Sequence, residues 1–231
     1  MRVSFVPVVA TFLLVVSLAG PGAGQDSKQS DSPSSSSSRS KKTPKAATPE
    51  SGVDAGGIVG AFYRNKTFGL SCKIPPGWVL RTDEMNARDE NTDQDPSPQR
   101  SQRTTENGGR VLLAAFSRPP EAKGEDVNGS IVIAAEPVAA YPGLTEAVQY
   151  LGPLDEVAKA QGFTADEDPY EIAVGPKTLV REDFHKDVGS RVMRQSTLVF
   201  LAKGYAVSTT VIGGTEDEVE DLVDGVRFAG K

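Results

Sequence analysis

From Phe68 to Ile74 the chain alternates strictly, with Phe68, Leu70, Cys72 and Ile74 apolar and the positions between them small or polar. Period-two alternation predicts a half-buried strand. Phe62 and Tyr63 precede it across Arg64-Asn-Lys-Thr67, which reads as a hairpin turn. Pro75-Pro76-Gly77 ends the strand, and Trp78 opens a short extended piece to Arg81. Further strands are predicted at Val111–Ser117, Ser130–Glu136, Tyr170–Val174, Lys177–His185, Ser190–Ala202 and Tyr205–Ile212. Lys203-Gly204 forms a tight turn between the last two. Sequential hairpins of this kind make an antiparallel sheet.

Two segments carry a helical period instead. In Leu144–Gln161 the apolar positions are Leu144, Val148, Leu151, Leu154, Val157 and Ala158. Gly152-Pro153 interrupts them, and an interior proline costs about 3 kcal/mol, so a kink or a break is expected there. Near the C-terminus, Thr215 and Glu218 fit a capping box. Val219, Leu222, Val223 and Val226 follow as one apolar stripe, with acids at 216, 217 and 218 at the positive end of the helix dipole.

Elsewhere the pattern fails. Val8–Leu18 is almost wholly apolar, preceded by Arg2 and followed by the small residues of Ala19-Gly-Pro-Gly-Ala-Gly24. The run is short for a bilayer and ends as a signal peptidase site would, so residues 1–24 read as an export signal cut after Ala23 or Gly24. An uncleaved anchor is the alternative, and it is the one route by which the chain would be held at a membrane. Residues 25–57 are rich in serine, proline and lysine, with almost nothing to bury, and read as a disordered tether. Residues 83–110 are nearly all polar, contain Pro96, Pro98 and Gly108-Gly109, and read as a long loop insertion with room for a short helix at its start.

One domain therefore remains, residues 58–231. The whole chain carries a formal charge of −6, and the tether has five basic against four acidic residues. Removing the tether's +1 and Arg2 leaves −8 on the domain. An acidic domain without a basic stripe argues against a nucleic-acid partner.

The order of features resembles the PsbP-like superfamily. The residues that carry the likeness are Phe68–Trp78 (FGLSCKIPPGW), Gly204–Gly214 (GYAVSTTVIGG) and the closing Glu216–Phe228 (EDEVEDLVDGVRF). That group includes the PsbP subunits of photosystem II, a nuclear Ran-binding relative and DcrB-like bacterial envelope proteins. The resemblance implies an α+β fold, a central antiparallel sheet flanked by helices in an α/β/α sandwich, and as a rule no catalysis. It supplies no site motif to transfer.

Chemistry read from the residues is sparse. His185 is the single histidine, and Asp183 lies two residues away on the same strand face; a triad would still need a nucleophile placed by the fold. Cys72 is the single cysteine and falls on the core phase, so it reads as an inert thiol. One histidine and one cysteine do not make a zinc site. Asp89, Asn91, Asp93 and Asp95 match alternate positions of a calcium loop, but Gln94 stands where the turn glycine belongs and Arg100 where the bidentate glutamate belongs. Gly213-Gly214-Thr215 leads into a helix N-terminus, where the acids already present would repel a phosphate. Asn65 and Asn128 fit glycosylation acceptors. No catalytic, cofactor or metal residue is assigned, and no cofactor is implied. The resulting expectation is a periplasmic or secreted non-enzymatic module that binds a protein partner or assists assembly in the cell envelope. The alternative is a small-ligand carrier or a hydrolase with a cryptic site.

Overall fold

The structure, a computed structural model, describes residues 53–92, 109–124 and 126–229. The proposed signal, most of the tether and most of the polar insertion lie outside the described residues.

Two antiparallel sheets form from the alternating segments. The smaller has four strands: β1 (Gly57–Val59), β2 (Phe62–Asn65), β3 (Leu70–Lys73) and β12 (Val226–Phe228), in that order. Its hairpin turn falls at residues 66–69, two positions later than the sequence pattern places it, so Arg64 and Asn65 are strand residues and Phe68 sits in the turn. The larger sheet contains β4 (Val79–Leu80), β5 (Arg110–Phe116), β6 (Ser130–Pro137), β7 (Thr164–Ala165), β8 (Tyr170–Val174), β9 (Lys177–Val188), β10 (Arg191–Ala202) and β11 (Tyr205–Gly213). Its order is β4-β5-β6-β11-β10-β9-β7, and β8 also pairs with β9. The β10–β11 turn is Lys203-Gly204, with φ of 54° and 80°. Both values are positive, as a two-residue hairpin that matches strand twist requires.

Helices α1 (Thr82–Thr92), α2 (Ala147–Ala160) and α3 (Glu216–Asp224) complete the fold. The main core lies between one face of the large sheet and a layer made of α3 and the small sheet. There Leu113, Ile131, Leu198 and Val211 meet Val219, Leu222 and Val223 of α3 and Leu70, Cys72 and Phe228 of the small sheet. On the opposite face α2 packs Tyr150, Leu151 and Leu154 onto Ala134, Val199 and Ala206. Met85 of α1 covers Val111 and Ala114 of β5. The antiparallel α+β class is as expected. Helices flank the large sheet on both faces, α2 on one and α3 on the other, where the small sheet lies beside α3.

Two local expectations are also corrected. Of the kink or break expected at Gly152-Pro153, the break does not occur: Pro153 sits inside α2, which runs through it as one helix. Buried Tyr150, Leu151, Leu154 and Ala158 lie on both sides of the proline, and burial worth about 1.5–3 kcal/mol per large side chain offsets its cost. Val226 is not part of the last helix. That helix closes at Gly225, and Val226 starts β12 against Cys72 of β3. The insertion, read as a loop with room for a short helix at its start, does begin with a helix, the eleven-residue α1. Asn86 there donates to the Val111 carbonyl at 3.0 Å and accepts from the Val111 N–H at 3.0 Å, while Thr82 Oγ1 accepts from Ala114 N–H at 2.9 Å. These bonds occupy backbone groups along the outer edge of β5 that a neighbouring strand would otherwise take.

Candidate functional site

β9 and β10 pair from Val188↔Arg191 to Val180↔Val199, and there the ladder stops. Beyond that point Phe200, Leu201 and Ala202 have a registered partner only in β11. Lys177, Thr178 and Leu179 have one only in β8. The sheet thus splits between two strands that are paired along the rest of their length. A cleft of about 370 Å³ opens at this place, lined by Thr145, Ala147, Lys177, Thr178, Phe200 and Leu201.

The cleft has a defined electrostatic character. Lys177 Nζ lies 4.4 Å from the Phe200 ring centroid and 5.0 Å from that of Phe228. Those two rings meet edge to face with centroids 5.0 Å apart. A cation above aromatic faces is held by their quadrupoles. Burial, and then the like charge of Lys203, push the Lys177 pKa below the ordinary lysine value. Lys203 stands at the hairpin tip one residue beyond Ala202. Among the described residues neither lysine has an ion pair.

The residues singled out in the sequence lie elsewhere. His185 Nδ1 is bonded to Asp166 of the loop after β7, not to Asp183. Asp183 accepts from the Tyr170 hydroxyl at 2.6 Å and from Arg181 Nε at 3.0 Å. Among the described residues no serine or cysteine hydrogen-bonds to His185, so the triad geometry is not assembled. Cys72 is fully buried, and burial pushes its thiol up to about 12. α1 continues through Asp89 and Asn91, so those positions are helical where a calcium loop would turn; residues 93–100 lie outside the described residues. At the start of α3, Glu218 accepts the Gly214 N–H at 2.7 Å and Thr215 Oγ1 accepts the Glu218 N–H at 3.1 Å. The chain's own carboxylate fills the place an anion would take. Asn65 is buried, donates to the Asp54 carbonyl at 2.7 Å and accepts from the Phe68 N–H at 3.1 Å, so its amide is closed to modification in the folded state. Asn128 bridges Ser117 and the backbone of Arg118. Trp78 is half-buried against the main core, beneath Gly129.

Sequence reasoning also passed over Glu182. It shares the core phase of β9 with Val180 and Phe184, and that phase was the available signal. It is 4% exposed and faces Thr197 across the ladder. Burial and then the charge of Asp155 raise its pKa to about 7, against the opposing charge of Lys159. Lys159 is itself paired with Asp155 at 2.6 Å. Among the described residues no group of three histidine, cysteine or carboxylate side chains is placed to share a metal ion.

No family model matches this chain, and no curated protein matches it. Solved structures do. Cyanobacterial PsbP from Synechocystis sp. PCC 6803 is similar at 16% identity and a TM-score of 0.43, over 75% of this chain and 96% of that one. The Ran-binding protein Mog1p of Saccharomyces cerevisiae is similar at 11% identity and a TM-score of 0.36, over 69% of this chain and 90% of that one. LpqN of Mycobacterium tuberculosis, involved in cell envelope biogenesis, is similar at 11% identity and a TM-score of 0.33, over 70% of this chain and 83% of that one. These likenesses concern fold alone.

Proposed function

We propose that this protein is an exported, non-catalytic binding module that takes a protein partner at the split between β9 and β10. The observation that carries the reading is the end of the ladder at Val180↔Val199 while both strands continue. A sheet edge opened in this way offers backbone donors and acceptors to an added strand, with neighbouring side chains supplying specificity. The carrier alternative calls for an apolar cavity between sheet and helices. The cleft lies where the strands part, beside the start of α2 at Ala147, and it is not wholly apolar, with Thr145, Lys177 and Thr178 in its wall. The hydrolase alternative has His185 and Asp166 together, with no serine or cysteine hydrogen-bonded to His185 among the described residues.

The test is site-specific photo-crosslinking in the native envelope. A crosslinking side chain at exposed Thr178 is expected to trap one discrete protein, and the same group at exposed Asp217 on α3 is expected to trap none. Adducts from Asp217 and none from Thr178 would move the interface to another face. Export rests on Arg2, the apolar run and the small residues near Ala23. N-terminal sequencing of the mature protein should start at Gly24 or Gln25, and intact Met1 on protein from a washed extracytoplasmic fraction would count against cleavage.

A further inference from the structure

Resting on that reading of the split, we propose that its occupant is an extended acidic segment of the partner protein. The segment pairs with Phe200–Ala202 of β10 and sets an Asp or Glu carboxylate against Lys177 and Lys203.

The backbone side of the inference follows from register. Phe200, Leu201 and Ala202 face β11 on one side and have no registered strand on the other. An extended chain is the one conformation that meets such an edge with evenly placed N–H and C=O groups, because its own repeat matches that of the strand. A helix or a compact ligand leaves those groups to water.

The charge side follows from the two lysines. Both stand where a strand added to β10 would run, Lys177 across the split and Lys203 at the tip of the same hairpin. Lys177 is held at 4.4 Å and 5.0 Å over two rings, so its ammonium is positioned before anything binds. The backbone of Lys203 takes the left-handed turn conformation at the hairpin tip, where its side chain is exposed. Neither has a carboxylate partner among the described residues, although the chain has 31 acidic residues against 25 basic ones. Lys177 is partly buried and Lys203 is exposed; the like charges repel each other, and a carboxylate between them removes the repulsion and gives the Lys177 ammonium a partner in place of lost water. A basic segment would add a third positive charge, and a neutral one would leave both ammoniums uncompensated. An anionic membrane surface fits less well, since a net acidic protein is repelled by it over the Debye length.

The test uses the full mature chain and three fluorescein-labelled eight-residue peptides, in which valine alternates with glutamate, glutamine or lysine. Anisotropy should show the glutamate peptide binding at least ten-fold more tightly than the other two. Lys177→Met keeps the apolar stem over the rings, and Lys203→Asn suits the positive φ. Each should reduce that preference, and together they should abolish it, with the melting temperature checked for both. If Lys177→Met fails to fold, Lys203→Asn alone still decides the point. Amide exchange at Phe200–Ala202 should slow when the glutamate peptide is bound. Equal binding of the glutamate and glutamine peptides, with slowed exchange at 200–202, overturns the acidic preference while leaving the split as the binding site. Peptide binding without protection there overturns both readings, and absence of binding by all three peptides overturns the present inference.

Discussion

Val180 and Val199 form the last registered pair between β9 and β10, and the sheet opens immediately beyond them. Amide hydrogens that point into the opening from Lys177–Leu179 and Phe200–Ala202 lack the ladder that protects residues 191–199. They should exchange at least ten-fold faster than the amides of 192–198, as measured by hydrogen exchange with NMR or mass spectrometry. Equal protection along the whole length of β10 would mean that the strands close in solution.

Glu182 makes stability depend on pH. Its pKa is raised from 4.5 to about 7, chiefly by burial. Between these values the folded chain keeps a proton that the unfolded chain has released, so this residue lowers stability as pH climbs from about 4.5 to 7 and holds it low above that. Glu182→Gln should therefore raise the melting temperature at pH 8, by the equivalent of about 1–3 kcal/mol, and change it little at pH 4.5. Thermal melts at the two pH values check this, and parallel curves for variant and wild type would refute it.

Arg181 joins β9 to α3. It is buried, donates to Glu220 through both terminal nitrogens, one at 3.1 Å, and to Asp183 through Nε at 3.0 Å. The Glu220 side chain is half exposed. Glu220→Gln should cost under about 1 kcal/mol, because the guanidinium keeps Asp183 and water. Arg181→Met should cost about 2–4 kcal/mol, because it strands a partly buried Asp183. Urea unfolding of both variants measures the difference.

Trp78 anchors the start of β6 from below. An added Cβ at Gly129 would lie 3.3 Å from two of its ring atoms. Since the indole is half-buried, Trp78→Ala should cost about 1–3 kcal/mol, less than the ~3–5 kcal/mol of a fully buried tryptophan. Chemical denaturation measures the cost, and a loss under about 0.5 kcal/mol would reassign the ring to the surface.

The start of the polar insertion packs against β5. Replacing residues 84–109 by a short Gly-Ser turn removes Met85 from its contact with Val111 and Ala114, and Asn86 from the β5 edge. That change should lower the melting temperature by several degrees and promote aggregation through the bared edge. Differential scanning calorimetry measures the loss, and an unchanged melting curve would show that these contacts add no stability.

Short-range physics was legible in the residue order. The Lys203-Gly204 turn, the Thr215 cap, the stripe Val219-Leu222-Val223 and the strands near 111–117 and 170–212 all follow from side chains within a few positions of one another, because period, capping and turn chemistry act over that range. Where a competing local signal existed it misled: Pro153 argued for a break that packing on both of its sides prevents, and the helical spacing of Val226 hid a strand that β3 completes. The register between segments was not legible. Asp166 meets His185 across 19 positions of sequence, Asn86 meets Val111 across 25, and Arg181 meets Glu220 across 39. No local rule selects these partners. The split was hidden for the same reason, since Lys177–Leu179 and Phe200–Ala202 each read as ordinary strand. Only the assembled sheet, in which Lys177–Leu179 of β9 pair with β8 alone while Phe200–Ala202 of β10 pair with β11 alone, decides that those two stretches part.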